Sequence, residues 1–330
     1  MNCRKEFSNM DHVQNTGLDR KDKLPSEILN SIDSDIYYDP YFKRWGDNRG
    51  YINKISSKKK NENENERCIL FIHGGGFNSF SPKSYQSLTY ILAHNTLLDI
   101  FAPDYNTEEN YHFPEHINDI DEFVQKSLSP RYNSIVLIGD SAGGTIALGL
   151  LIKNIVEKKF IFTLCTLYSP WIDLGCTSNS YDTNKWCNEN KTGDMIFKNN
   201  ARTNSKLSAL TEYISNKDLK NYLANPYICP EYILEQFPPI LIFVGSEETL
   251  RDENIIFSNK IQKVNPNAFL YIFSSVWHDW LMYTQDCESG HFDKAWQVYK
   301  ITTDFISGGY EKDDYYFSSE INFTNIRYVN

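Results

Sequence analysis

Ser134-Ile-Val-Leu-Ile-Gly-Asp-Ser-Ala-Gly-Gly-Thr-Ile-Ala-Leu-Gly-Leu150 changes character at its middle. Ser134 to Ile138 is an unbroken aliphatic and β-branched run, the pattern of a strand buried on both faces. The second half reads as a helix. Between them lies Gly139-Asp140-Ser141-Ala142-Gly143, a G-x-S-x-G sequence. In a nucleophile elbow of this form the serine occupies a strained strand-to-helix turn, and the flanking glycines let neighbouring backbones come close. The turn lifts the Ser141 hydroxyl above the sheet edge. It also aims the Ala142 N–H, at the positive end of the helix, at an oxyanion formed on a substrate. The same five letters arise by chance in Gly-rich turns without chemistry; the strand before them and the helix after them favour the functional reading.

The rest of the chain agrees with a single α/β unit. Its 330 residues, 41% of them hydrophobic, suffice for one domain with a sizeable core or one domain plus a lid. A formal net charge of −10 without a dense Lys/Arg face argues against nucleic acid as a partner. The seven cysteines are scattered and never in C-x-x-C spacing, so neither a disulfide framework nor a zinc site is expected. Met1 to Lys23 is polar, and no run reaches membrane-spanning length. These features predict a cytoplasmic protein without a membrane span; no oligomeric state is implied.

Strands and helices alternate outward from the elbow. A helix is expected over Leu24–Ile32, capped near Ser26, and an edge strand over Tyr51–Ile55. Lys58 to Glu66 is a solvated loop. A buried strand, Cys68–Ile72, runs into His73-Gly-Gly-Gly-Phe77, and a helix opens at Ser81-Pro82 and runs to about His94. Leu97–Ala102 is the next strand. His112 and His116 have the spacing of helical metal ligands, but Pro114 between them predicts an exposed turn before a helix over Glu115–Leu128. Further strands are expected at Phe160–Leu167, Ile240–Val244 and Phe269–Phe273, and helices at Glu253–Val264 and Phe292–Ile306. Residues 175–237 break the alternation and read as an insertion of turns and short helices. The pattern implies a mostly parallel sheet covered on both faces.

Serine is a weak nucleophile at neutral pH, so Ser141 requires a base in hydrogen-bond reach and a group that orients the base. On this kind of sheet the order along the chain is serine, acid, histidine. His278, in the loop after Phe269–Phe273, is the late histidine that follows a strand directly; His291 reads as surface. For the acid, the loop after Ile240–Val244 offers Glu247, Glu248 and Asp252.

These residues resemble the hormone-sensitive-lipase-like family of α/β hydrolases. The resemblance rests on His73-Gly-Gly-Gly76, Asp104-Tyr105, Phe113-Pro114 with Asp119, Gly139-Asp-Ser-Ala-Gly-Gly144, Ser169-Pro-Trp-Ile-Asp-Leu174, Asn225-Pro226, Pro238-Pro239, Leu250-Arg-Asp252 and His278, in the family's order. It implies an α/β-hydrolase fold and oxyanion-hole N–H groups from Gly75, Gly76 and Ala142. It also implies that His73 braces the glycine loop from below, that Glu248 is the catalytic acid two residues before the Leu-Arg-Asp element, and that Asp252 orders the loop. Asn106-Thr-Glu-Glu-Asn110 departs from the family's usual continuation, so the entrance loop is expected to be atypical. Residues 1–50 are expected to form an irregular N-terminal lid segment, and 51–330 the catalytic domain with its lid insertion at about 175–237.

The expected activity is that of a carboxylesterase-type serine hydrolase acting on a small-molecule ester through an acyl-enzyme, with Ser141, Glu248 and His278 as triad and no metal or organic cofactor. The alternatives are a non-catalytic small-ligand-binding protein on the same fold, as the plant gibberellin receptors are, or an amidase or acyltransferase using the same triad. Phe77, Trp171 and Trp277 are expected to crowd the acyl pocket, favouring short to medium chains, about two to eight carbons.

Overall fold

In a computed structural model of the chain, residues 24–43, 49–59, 66–108, 111–187, 192–194, 201–283, 293–309 and 326–329 are described. The expectations for Met1–Lys23, for most of the Lys58–Glu66 loop, and for His291 fall outside these residues. The strands are β1 (Ile32–Lys43), β2 (Arg49–Ser57), β3 (Arg67–Ile72), β4 (Asp99–Pro103), β5 (Ser134–Asp140), β6 (Phe162–Tyr168), β7 (Ile240–Gly245), β8 (Ala268–Phe273) and β9 (Ile326–Val329). They form one nine-stranded sheet in the order β1-β2-β4-β3-β5-β6-β7-β8-β9. From β4 to β9 every pairing is parallel; β1 and β2 add an antiparallel edge.

The side-chain period of two divides each central strand between the two faces. Cys68, Leu70 and Ile72 of β3 and Ile135 and Leu137 of β5 belong to one core, whereas Ile69, Phe71, Val136 and Ile138 belong to the other. Helices cover both. On the first face lie α3 (Glu115–Phe123), α4 (Ser141–Val156) and α6 (Arg251–Gln262), through Ile117, Ile120, Ile146, Leu150, Phe257 and Ile261. On the second lie α1 (Ser26–Ser31), α2 (Gln86–Thr96) and α7 (Asp293–Ile306), through Ile28, Leu88, Ile91, Val298 and Phe305. Strands sandwiched in this way need no polar face, which is why they read as continuous apolar runs.

Several elements differ from expectation. The strand expected at the edge over Tyr51–Ile55 is β2, which is paired on both sides, with β1 and β4. The segment expected to be irregular contains β1, whose Ile36 and Tyr38 are exposed while Phe42 is buried; an antiparallel edge strand keeps one face in water, so its aromatics stand among polar residues. The helix after Ser81-Pro82 starts with a 3₁₀ turn, Pro82–Tyr85, before α2. His116 is not on an exposed turn: it lies in the first turn of α3 and is fully buried, because α3 begins directly after Pro114.

The insertion holds α5 (Ala201–Glu212) and the single-turn helices Ser180–Thr183 and Glu231–Leu234. Its Tyr181, Ala209, Tyr213, Ile214, Ile233 and Leu234 join the first-face core. The parallel strands deliver their C-terminal ends to one edge, so the residues following β3, β5, β6, β7 and β8 meet there.

The approach of β3 to the elbow is the tightest point. A Cβ on Gly143 would lie 2.3 Å from the carbonyl oxygens of Ile72 and His73, both of them backbone atoms. Gly143→Ala is therefore expected to cost about 2–3 kcal/mol and to lower the thermal midpoint by roughly 4–10 °C. A melting curve checks this, and an unchanged midpoint would contradict the close contact.

Candidate active site

β5 ends at Asp140 in extended conformation, and Ser141 turns to φ +49, in the left-handed region that β-carbon-bearing residues avoid. The turn is held from outside: the Trp171 N–H donates to the Ser141 carbonyl at 3.0 Å. Ala142 stands in the first turn of α4, where N–H groups have no intrahelical acceptor.

The Ser141 hydroxyl lies 2.8 Å from Nε2 of His278, and Nδ1 of His278 lies 3.1 Å from Oε2 of Glu248. The other carboxylate oxygen, Oε1, accepts from the Ser169 hydroxyl at 2.7 Å and the Gly245 N–H at 2.5 Å. A carboxylate facing Nδ1 places the ring proton there and leaves the Nε2 lone pair for the serine hydroxyl. Of the three acids the sequence left open, Glu248 is the one that meets His278. Glu247 instead accepts the Gly193 N–H at 2.7 Å. Asp252 pairs with Arg251 at 2.8 Å. The neighbouring Glu253, fully buried, accepts the N–H groups of Ile172 at 2.7 Å and Asp173 at 3.1 Å in the segment after β6.

Burial dominates the electrostatics. It pushes the Glu248 carboxyl up, to about 8, against the hydrogen bonds from Gly245 and Ser169 that favour the carboxylate. Burial also lowers His278, against the negative charges of Asp194 and Asp140. The hydroxyl of Ser169, the N–H of Gly245 and Nδ1 of His278 converge on the Glu248 carboxyl and favour its charged form against that burial.

A second carboxyl pair lies beside the first. Asp279, at φ +57, brings Oδ2 to 3.3 Å from Nε2 of His278. Its carboxyl is hydrogen-bonded to Asp140, and burial drives both upward, Asp140 to about 6 and Asp279 well above the carboxylate range. Two acids in contact out of water share a proton, with Asp279 as donor. Asp140 also accepts the Tyr85 hydroxyl at 2.8 Å, and the Tyr85 hydroxyl oxygen in turn accepts the Gly74 N–H at 3.1 Å. The glycine loop is thus tied to the elbow.

Gly75 and Gly76 adopt φ +111 and +62, and a Cβ on Gly75 would lie 2.1 Å from the Ser79 carbonyl oxygen. Beneath the loop, the buried His73 ring bonds the Gly74 carbonyl through Nδ1 at 2.8 Å and stacks on Tyr105 at 4.1 Å. His116 holds Asn106, its Nε2–H donating to the Asn106 carbonyl at 2.9 Å; burial keeps that imidazole neutral, lowering it to about 3.

Phe77 and Trp171 come together, ring centres 5.6 Å apart, and Tyr213 of the insertion stacks on Phe77 at 4.1 Å. All three are buried. Trp277 is not with them; it packs in the second-face core with Phe273 and Trp280. Sequence reading missed Tyr213, Ser169, Glu253 and Asp194. Ser169 and Glu253 lie within or beside recognised motifs, whereas Tyr213 and Asp194 sit in the aperiodic insertion, where local pattern carries no signal.

A serine on a strand-to-helix elbow at the C-terminal edge of a mostly parallel sheet, with an acid and a histidine from later strand ends, defines an α/β hydrolase. A family model described as the α/β-hydrolase fold matches residues 69–282, and the chain belongs to that family. An esterase of Acinetobacter venetianus is 26% identical over 222 residues, covering 66% of this chain and 68% of the relative. An acetyl-hydrolase of Streptomyces hygroscopicus is 26% identical over 220 residues, covering 66% and 69%. The crystal structure of EstE5 soaked with p-nitrophenyl butyrate has a TM-score of 0.71 at 20% identity, covering 94% of this chain and 98% of its own. An esterase from the bacterial hormone-sensitive lipase family has a TM-score of 0.66 at 20% identity, covering 92% and 90%.

Glu248→Gln is expected to lower kcat about 10³-fold, and Asp252→Asn to leave it within about threefold while lowering the melting temperature. The reverse ranking would move the acid to Asp252. A base works only when neutral, so activity falls as pH drops through the folded value of His278. Burial lowers that value from 6.5, and the acid-side midpoint of kcat/KM is expected below pH 6.5.

Proposed function

We propose that the protein is a serine carboxylester hydrolase for small-molecule esters with short to medium acyl chains. The hydrogen-bonded series Ser141–His278–Glu248, at 2.8 and 3.1 Å, carries this reading. Ser141 Oγ attacks the ester carbonyl carbon as its proton passes to Nε2 of His278. Glu248 balances the imidazolium. The tetrahedral oxyanion is met by the N–H groups of Gly75, Gly76 and Ala142. Collapse breaks the bond to the alcohol oxygen, which takes the proton back from His278. Water, deprotonated by the same base, then hydrolyses the acyl-enzyme and returns the hydrogen to Ser141.

The relatives named esterase and acetyl-hydrolase support the bond type. A non-catalytic binding protein gains nothing from a desolvated Ser141–His278 contact backed by a buried carboxylate, since burying such groups costs stability. The aromatic wall of Phe77, Trp171 and Tyr213 supports the chain-length preference: an apolar slot rewards each methylene only until it is full. Cytoplasmic action belongs to the same proposal. Cys165, Cys176, Cys187 and Cys229 are free thiols, as a reducing compartment keeps them.

The test is kcat/KM along p-nitrophenyl esters from acetate to palmitate, beside matched anilides. The expected optimum lies between about two and eight carbons, with anilides far slower and Ser141→Ala inactive and unlabelled by a fluorophosphonate. Preference for anilides, or labelling of Ser141→Ala, would overturn the reading. Tyr213→Ala removes one wall of the slot and is expected to move the optimum toward longer chains by roughly two to four carbons; an unmoved optimum would show that Tyr213 does not bound the acyl site.

A further inference from the structure

Asp194 is the feature that the proposed mechanism leaves unused. It belongs to the insertion and is fully buried. Its Oδ2 accepts the Thr249 N–H at 2.8 Å and the Thr249 hydroxyl at 3.2 Å, and its Oδ1 faces the His278 N–H at 3.4 Å. One carboxylate therefore spans the backbone following Glu248 and the backbone of His278.

The surrounding segment grips the same loop. The Asn184 amide donates to the carbonyls of Ser246 at 3.1 Å and Glu248 at 2.8 Å, and the Asn184 carbonyl accepts the Asp194 N–H at 2.7 Å. Ser180 donates to the Thr249 carbonyl at 2.5 Å, and Gly193 donates to Glu247 at 2.7 Å. A carboxylate surrounded by N–H and O–H donors stays ionised, because each donor favours the charged form.

We propose that Asp194 is a positioning residue for this reaction, a carboxylate supplied by the insertion that ties the Glu248 loop to the His278 loop and adds a fixed negative charge beside the base. The proposal rests on the serine-hydrolase reading. A shift of either loop would open the 3.1 Å contact between Glu248 and His278 that orients the imidazole, and small misplacements of catalytic groups cost rate steeply. The charge has a separate consequence, since an anion near an imidazole favours its protonated form. The other titratable groups facing His278 are Glu248 from the β7 loop, Asp279 beside it in the chain, and Asp140 at the end of β5, itself bonded to Tyr85. Arg251, which grips the same loop at the Ser246 carbonyl, is paired with Asp252. All of these remain when Asp194 is neutralised.

The experiment is the pH dependence of kcat/KM on p-nitrophenyl butyrate and of fluorophosphonate labelling rate, for the wild type, Asp194→Asn and Thr249→Val, with melting curves for each. Asp194→Asn is expected to lower kcat about tenfold with KM within about twofold, and to move the acid limb of both profiles down by roughly 0.5–1 pH unit. A residue with a purely structural role would lower the melting temperature without moving that limb. Thr249→Val keeps the charge but removes one bond to it; kcat is expected to fall about threefold with the limb in place. An acid limb that stays put in Asp194→Asn, or a wild-type kcat in Thr249→Val, overturns the proposal, the second even if Asp194→Asn does not fold. Wild-type protein that neither turns over the ester nor takes the label would instead remove the hydrolase reading.

Discussion

The backbone at Ser141 is the constraint on which the site depends. A serine at φ +49 between a buried strand and a buried helix persists only if its surroundings over-determine it. They do so from both sides. Trp171 holds the Ser141 carbonyl, and the Gly143 backbone lies against the end of β3 so closely that no β-carbon fits. The glycine loop after β3 is consequently registered to the serine, and Tyr85, bridging Asp140 and Gly74, extends the same registration to the loop's backbone.

The electrostatic design follows from placing acids where water is absent. Glu248, Asp279, Asp140 and Asp194 surround one imidazole, and a cluster of four dehydrated carboxylates would be untenable. The structure resolves this by protons and donors. Asp140 and Asp279 share a proton, Glu248 receives three donors, and Asp194 receives its own from Thr249 and the base's backbone. Burial lowers the proton affinity of His278, and the charges that remain offset it only in part.

The insertion does more than cover the site. Its Tyr213 stacks on Phe77, and its Ser180, Asn184, Gly193 and Asp194 hydrogen-bond the 246–249 loop. The segment with the least regular sequence thus contacts both Phe77, after the glycine loop, and the loop that carries Glu248.

What the sequence determined by itself is the part governed by local periodicity and motif order. Short unbroken apolar runs that alternate with helices require a parallel sheet covered on both faces, and G-x-S-x-G between strand and helix requires an elbow; fold and family were legible from these. Ser141 and His278 were named from the residues alone and Glu248 from the resemblance, because each follows a strand end and parallel strands end at one edge. Tertiary structure alone decided the rest. β1 became an edge strand because pairing with β2, not its own mixed pattern, sets its conformation. Trp277 faces the second core while Trp171 faces the first, since the alternation of side chains at a loop is fixed by backbone turns that no periodicity encodes. Asp194 and Tyr213 reach the site from a segment without local pattern, because their positions depend on contacts formed only after the insertion has packed onto the finished sheet.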